Sequence, residues 1–226
     1  MIEKGILKGK GRKEEIWKRT KLGEPFKEAL DTFREQIADR KDLDPTSLLQ
    51  FGLFMSMAVL NILKNVEEAF GKEGHEIVAN ALIQTGKEVG RQMIVNTEIP
   101  DDIKPIELMS FLATIINTQA WTSLEEPRID NDTHCSFDIL WCPLQDVYNA
   151  FDCRVQRYLV QGIVDAFRES GKLAKDYQIK FTCTIPAGAD CCTFVIKEKK
   201  PGEKDDWEEY SKELERRALR GTKREE

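Results

Sequence analysis

Around Ala120 the apolar residues of the chain change their spacing, from every third or fourth position to every second one. The first rhythm belongs to helices that bury one face and the second to strands. A helical N-terminal half must therefore give way to antiparallel sheet, an α+β arrangement. Before the change, Phe26, Leu30, Phe33 and Ile37 mark one face of a helix over 25–40, and Asp44 followed by Pro45 opens a second that runs to Phe70. Apolar residues go nearly all round this second helix, which predicts a central, buried element. Gly71 and Gly74 break it, and a third helix over 75–95 carries Gly86 and Gly90, where another backbone can come close. A fourth spans 106–117. After the change, 121–126 and 133–142 form one β-hairpin around the turn-rich stretch 127–132, and 177–185 and 191–197 form another around Pro186 to Ala189. Between the two antiparallel hairpins, a helix from Cys153 to Glu169, ended by Gly171, is placed to cover the sheet.

At 226 residues the chain suits one domain with charged extensions. The divisions expected are a basic flexible arm over 1–22, a single α+β domain over 23–198 and a charged tail over 199–226 that is compatible with a helix. Residues 1–22 hold eight Lys/Arg against three Asp/Glu, and 197–226 hold ten of each, so a net charge of −6 leaves the body strongly acidic. An acidic body excludes a nucleic-acid groove there. The longest apolar stretch, Leu48 to Leu63, is interrupted by Gln50, Ser56 and Asn61. It is shorter than the roughly 20 residues of a bilayer span, so no membrane partner is expected. The first 22 residues have no apolar core of the leader type, which makes the cytoplasm the expected compartment. No Walker loop, dinucleotide glycine fingerprint or serine-hydrolase elbow occurs, so no nucleotide cofactor is expected. The expected partner is a small-molecule substrate or ligand, with a homodimer left open.

All six cysteines lie after residue 130. In a reducing compartment they are thiols or metal ligands before they are disulfides. If the second hairpin closes about the Ala187 and Gly188 bond, Cys183 faces Cys192, with Phe181 and Phe194 on the same inward face, and Cys191 turns outward. Cys153 heads the covering helix, away from a polar arc that holds Arg154, Arg157, Gln161, Asp165 and Arg168. Cys153, Cys183 and Cys192 are thus candidate ligands for zinc or another divalent metal, or equally a buried thiol cluster without one. Cys142, before Pro143 at a helix start, is a candidate nucleophile. His134 shares a strand face with Ser136 and Asp138, but alternate strand residues lie about 6.6 Å apart, too far for a triad. With a partner from another element, His134 is a candidate general base. Asp152, in the turn before Cys153, is a candidate acid or a helix cap.

Cys153 at a helix head with Gly162 inside the helix, followed by Cys183, Gly188, Cys192 and Phe194, resembles the 4-vinyl reductase domain superfamily. With Cys142-Pro143-Leu144 ahead and a threonine-rich strand leading into Gly188, Asp190 and Cys192, residues 45–198 are most similar, within that group, to the L-2-amino-thiazoline-4-carboxylic acid hydrolase family. The resemblance implies a small-molecule pocket between sheet and helices, and a zinc held by three cysteines and a glutamate. It also implies hydrolysis, with water opening a small C–N heterocycle such as 2-amino-thiazoline carboxylate to a carbamoyl amino acid. The glutamate position is Lys180 here, and the family's aspartate beyond the helix-head cysteine is Gln156. The expected metal is therefore held by Cys153, Cys183 and Cys192, with water or substrate in the fourth position. Metal or His134 would activate the water, and Cys142 or the cysteine-bound metal would stabilise the developing charge. The alternative is a sensor or accessory module whose cysteines hold a structural metal and whose pocket only binds.

Overall fold

The computed structural model of the protein describes residues 9–149 and 152–204. Its elements follow in the order α1 (Glu14–Arg19), α2 (Lys27–Gln36), α3 (Thr46–Val95), α4 (Pro105–Ile115), β1 (Leu124–Asn131), β2 (His134–Trp141), α5 (Arg154–Glu169), β3 (Tyr177–Cys183) and β4 (Cys192–Glu198). Helices fill the first half and hairpins flank α5 in the second, as the change of period requires.

Two helical arms make up α3, joined at Gly71, whose φ of 60° and ψ of −136° suit a residue without a side chain. The chain folds back there. A Cβ on Gly74 would lie 2.5 Å from the Val66 carbonyl oxygen. Leu60 and Leu63 of the first arm join Val78 and Leu82 of the second in one apolar cluster. The second arm then runs along α5 with the backbones in contact. A Cβ on Gly86 would fall 2.1 Å from the Leu159 carbonyl oxygen, and one on Gly162 would fall 2.0 Å from that of Ile83. The close approach expected at Gly86 and Gly90 is thus made, with α5 as the partner.

The two hairpins meet through β2 and β4, giving one antiparallel sheet in the order β1-β2-β4-β3. Alternation turns Cys135, Phe137 and Ile139 of β2, Ile179 of β3 and Cys192 and Ile196 of β4 into a core shared with α4 and α5. The central helix is α4, whose residues Ile106 to Ile115 are all buried. Pro105 opens it, and the Glu107 carboxylate turns back to accept the Lys104 backbone N–H at 3.1 Å.

Four expectations are corrected. The helix over 46–70 is not buried: Phe51 and Phe54 are 63% and 64% exposed, because one of its two apolar faces has nothing against it among the described residues. The part of the basic arm within the described residues is docked, with Ile16 and Trp17 buried. The Arg12 guanidinium lies 3.8 Å from the centre of the Trp17 ring and donates to Thr114 Oγ1 of α4 at 2.5 Å, which offsets its burial. Most of the expected turn 127–132 is strand, and Pro127 is tolerated because β1 is an edge strand. The second hairpin carries a bulge: Phe181 pairs with Phe194, but Cys183 pairs with Thr193, so Cys183 does not face Cys192. The helix-compatible tail beyond residue 204 lies outside the described residues.

Candidate active site

A cavity of about 80 Å³ opens where α4, the sheet and α5 meet. Phe137, Ile139, Phe181 and Phe194 give it apolar walls, and Phe194 stacks on Phe137 at 4.7 Å between ring centres. A π-helical turn, Ile116–Ala120, extends α4 and brings Asn117 to the lining. Cys142, Cys153 and Cys192 reach it from the end of β2, the head of α5 and the start of β4, and Gln156 and Arg157 reach it from the first turns of α5. Three thiols and one guanidinium are its ionisable lining among the described residues. Behind the wall, Asn117 Nδ2 donates to Glu125 at 2.9 Å, and burial pushes that carboxyl up.

Burial pushes all three cavity thiols up, Cys153 to about 12 and Cys192 to about 11. The Ile185 backbone N–H donates to Cys192 Sγ at 3.1 Å. Cys142 differs in what surrounds it. The Leu144 N–H and the Ser123 hydroxyl both favour its thiolate against the effect of burial. Cys183 stands apart, because the bulge turns its thiol toward the Cys191 carbonyl oxygen, 3.4 Å away, and toward Thr193, whose hydrogen bond draws the thiol down. Cys153, Cys183 and Cys192 are therefore not assembled as a ligand set. No group of three His, Cys, Asp or Glu among the described residues is arranged to hold a metal ion. The residues present do not fit the expected three-cysteine site.

His134 lies on the sheet face opposite the cavity, where its Nδ1 meets Thr133 Oγ1 at 2.8 Å and Asn131 Oδ1 at 3.2 Å in the hairpin turn. Neighbours on that face are tied elsewhere: Ser136 donates to Asp130 at 2.8 Å, and Asp138 holds Arg128 in an ion pair. The cavity gains no imidazole from this strand. Asp152 is buried beside Cys153 yet faces away from the cavity. It accepts from Lys64 at 3.1 Å, from Arg154 at 3.3 Å and from the Asn149 N–H at 2.9 Å. It belongs to a buried ionic seam between α3 and α5. There Arg154 donates to Glu67 at 2.7 Å, and His75 bridges Glu67 at 2.5 Å and the Tyr158 hydroxyl at 2.8 Å.

Arg154 and Arg157, placed by their spacing on the polar arc of α5, are 1% and 2% exposed. The sequence did carry a signal for them. Cations in the first turn of a helix oppose its dipole, so two arginines at that end of α5 need a reason outside the helix. For Arg154 the reason is Glu67 and Asp152. Arg157 lines the cavity beside Gln156, whose buried amide nitrogen has no hydrogen-bond partner among the described residues.

Residues 52–196 match the family model described as L-2-amino-thiazoline-4-carboxylic acid hydrolase. A relative from Archaeoglobus fulgidus, described as an uncharacterized protein, is 44% identical over 217 residues, covering 91% of this chain and 96% of its own. The chain belongs to the L-2-amino-thiazoline-4-carboxylic acid hydrolase family. Every cavity-lining residue named above falls inside the matched segment, so the hydrolase family's region and the thiol-lined cavity coincide. A hydrolase-like role follows at the level of the family.

Proposed function

We propose that the protein hydrolyses a small, carboxylate-bearing cyclic amidine of the 2-amino-thiazoline kind, and that Cys142 attacks it. The observation that carries this reading is the lining of the cavity, in which thiols and a guanidinium are the ionisable groups. Arg157 takes the substrate carboxylate in a charge-assisted pair, the aromatic walls take the flat ring, and the unpartnered Gln156 amide donates to a substrate acceptor.

The Cys142 thiolate adds to the amidine carbon while a ring nitrogen takes up a proton. Expulsion of a ring heteroatom, protonated as it leaves, opens the ring and leaves the carbon on Sγ. Water then adds to that carbon and releases the thiolate, so one water is consumed and a carbamoyl amino acid results. The Leu144 N–H and the Ser123 hydroxyl steady the thiolate before attack and after release. Neither His134 nor Asp152 takes part, because one lies across the sheet and the other is held in the ionic seam.

The test is incubation of purified protein with L-2-amino-thiazoline-4-carboxylate, followed by mass spectrometry. A product heavier by one water is expected. A rise in melting temperature without product would favour the ligand-binding module instead, and neither product nor shift would remove this substrate class.

A further inference from the structure

The first arm of α3 has a second apolar face that is bare among the described residues. Leu53, Leu60 and Leu63 point inward, to the cluster that includes Leu144, Tyr148 and Val155. At 100° per residue, Leu48, Phe51, Met55, Ala58, Ile62 and Asn65 form a row on the opposite side, and all six are exposed. Their spacings of three and four residues repeat without interruption, which is the seam of a coiled coil. No charged residue occurs from Thr46 to Leu63. A single asparagine among apolar seam positions is a residue that fixes register between paired helices.

We infer that this row pairs with the same row of a second copy of the chain about a two-fold axis, in an isologous helix-to-helix interface. The spacing selects another helix of like kind, since a knob every three or four residues needs holes at the same interval. The absence of charge removes any argument for a partner of opposite sign. Phe51 at 63%, Ile62 at 57% and Leu48 at 51% in the row, with Phe54 at 64% beside it, are largely exposed. That surface is on the order of 600 Å² per protomer, so a symmetric pair buries about 1,200 Å², the size at which specific interfaces become stable. A bilayer is a poorer occupant. The uncharged stretch is about 27 Å long at 1.5 Å per residue, short of a hydrocarbon core of about 30 Å. Part of its inward face, from Leu53 to Leu63, is also held against protein.

The test is the mass of the full chain by sedimentation equilibrium without detergent, together with a Phe51→Lys, Met55→Glu double variant. The wild type should have twice the mass of the 26.0 kDa chain. The variant should keep its circular dichroism and raise the dissociation constant by at least about 100-fold. A photo-crosslinking residue at Ala58 should join two copies, which keeps the claim testable if the double variant does not fold. A monomeric wild type, a dimer that the variant leaves intact, or co-flotation of the chain with phosphatidylcholine or phosphatidylglycerol vesicles would each overturn the inference.

Discussion

Arg154 and Arg157 sit one turn apart on α5, both all but inaccessible, and face different parts of the molecule. Toward α3, Arg154 is closed in by carboxylates, with Glu67 at 2.7 Å and Asp152 at 3.3 Å, in a seam that also holds His75 and Tyr158. Toward the sheet, Arg157 borders a cavity whose other ionisable groups are thiols. The cation on the first face is held by carboxylates of the fold, and the cation on the second lines the cavity. One helix thus carries a face closed by carboxylates and a face that lines the cavity.

The comparison breaks if the two arginines behave alike. Arg154→Met strips Glu67 of its guanidinium in a buried site and should cost about 3–5 kcal/mol of stability in urea denaturation, with part regained by adding Glu67→Gln. Arg157→Met should cost less stability. Its main effect should be on the carboxylate substrate, raising KM by about 10- to 100-fold in steady-state assays, the worth of one charge-assisted hydrogen bond. Equal losses of stability would mean that both faces are structural.

Between these and the smallest effect lies the pH dependence of the cavity face. The folded state holds the Cys153 and Cys192 protons up to about 12 and about 11, whereas an unfolded thiol releases its proton near 9. The unfolded state therefore gains from deprotonation first, so the stability is full below pH 9 and is lost as pH rises above it. The urea midpoint should fall between pH 9 and pH 10.5, and Cys153→Ala should flatten that fall. Least affected should be Cys183→Ser, within about 0.5 kcal/mol in stability and with unchanged turnover, since this thiol lies off the cavity.

The order and kind of elements were legible because helix and strand periods are local properties of the chain, and Gly71, Gly86 and Gly90 marked where it turns back and where backbones meet. Cys142, Cys153 and Cys192 could be singled out on the same local grounds. Cys183 could not be placed, since one bulged residue reverses which way every later side chain points, and nothing in the sequence between Phe181 and Cys183 announces it. The spacing of the α5 arginines places them on a polar arc but not in contact with Glu67, because a helical wheel carries nothing of a residue 87 positions earlier in the chain. Trp17 and Arg12 show the same limit, a charged and apolar segment read as an arm until α4 supplies Thr114 and Phe111 to receive it.

The most direct test of the account is Cys142→Ala assayed for ring opening of L-2-amino-thiazoline-4-carboxylate, beside the pH profile of the wild type. Because burial raises the Cys142 thiol above its ordinary value of 9.0, wild-type kcat/KM should still be climbing through pH 9. The variant should lose at least about 100-fold in kcat while keeping its fold. A Cys142→Ala protein with full turnover would contradict the account.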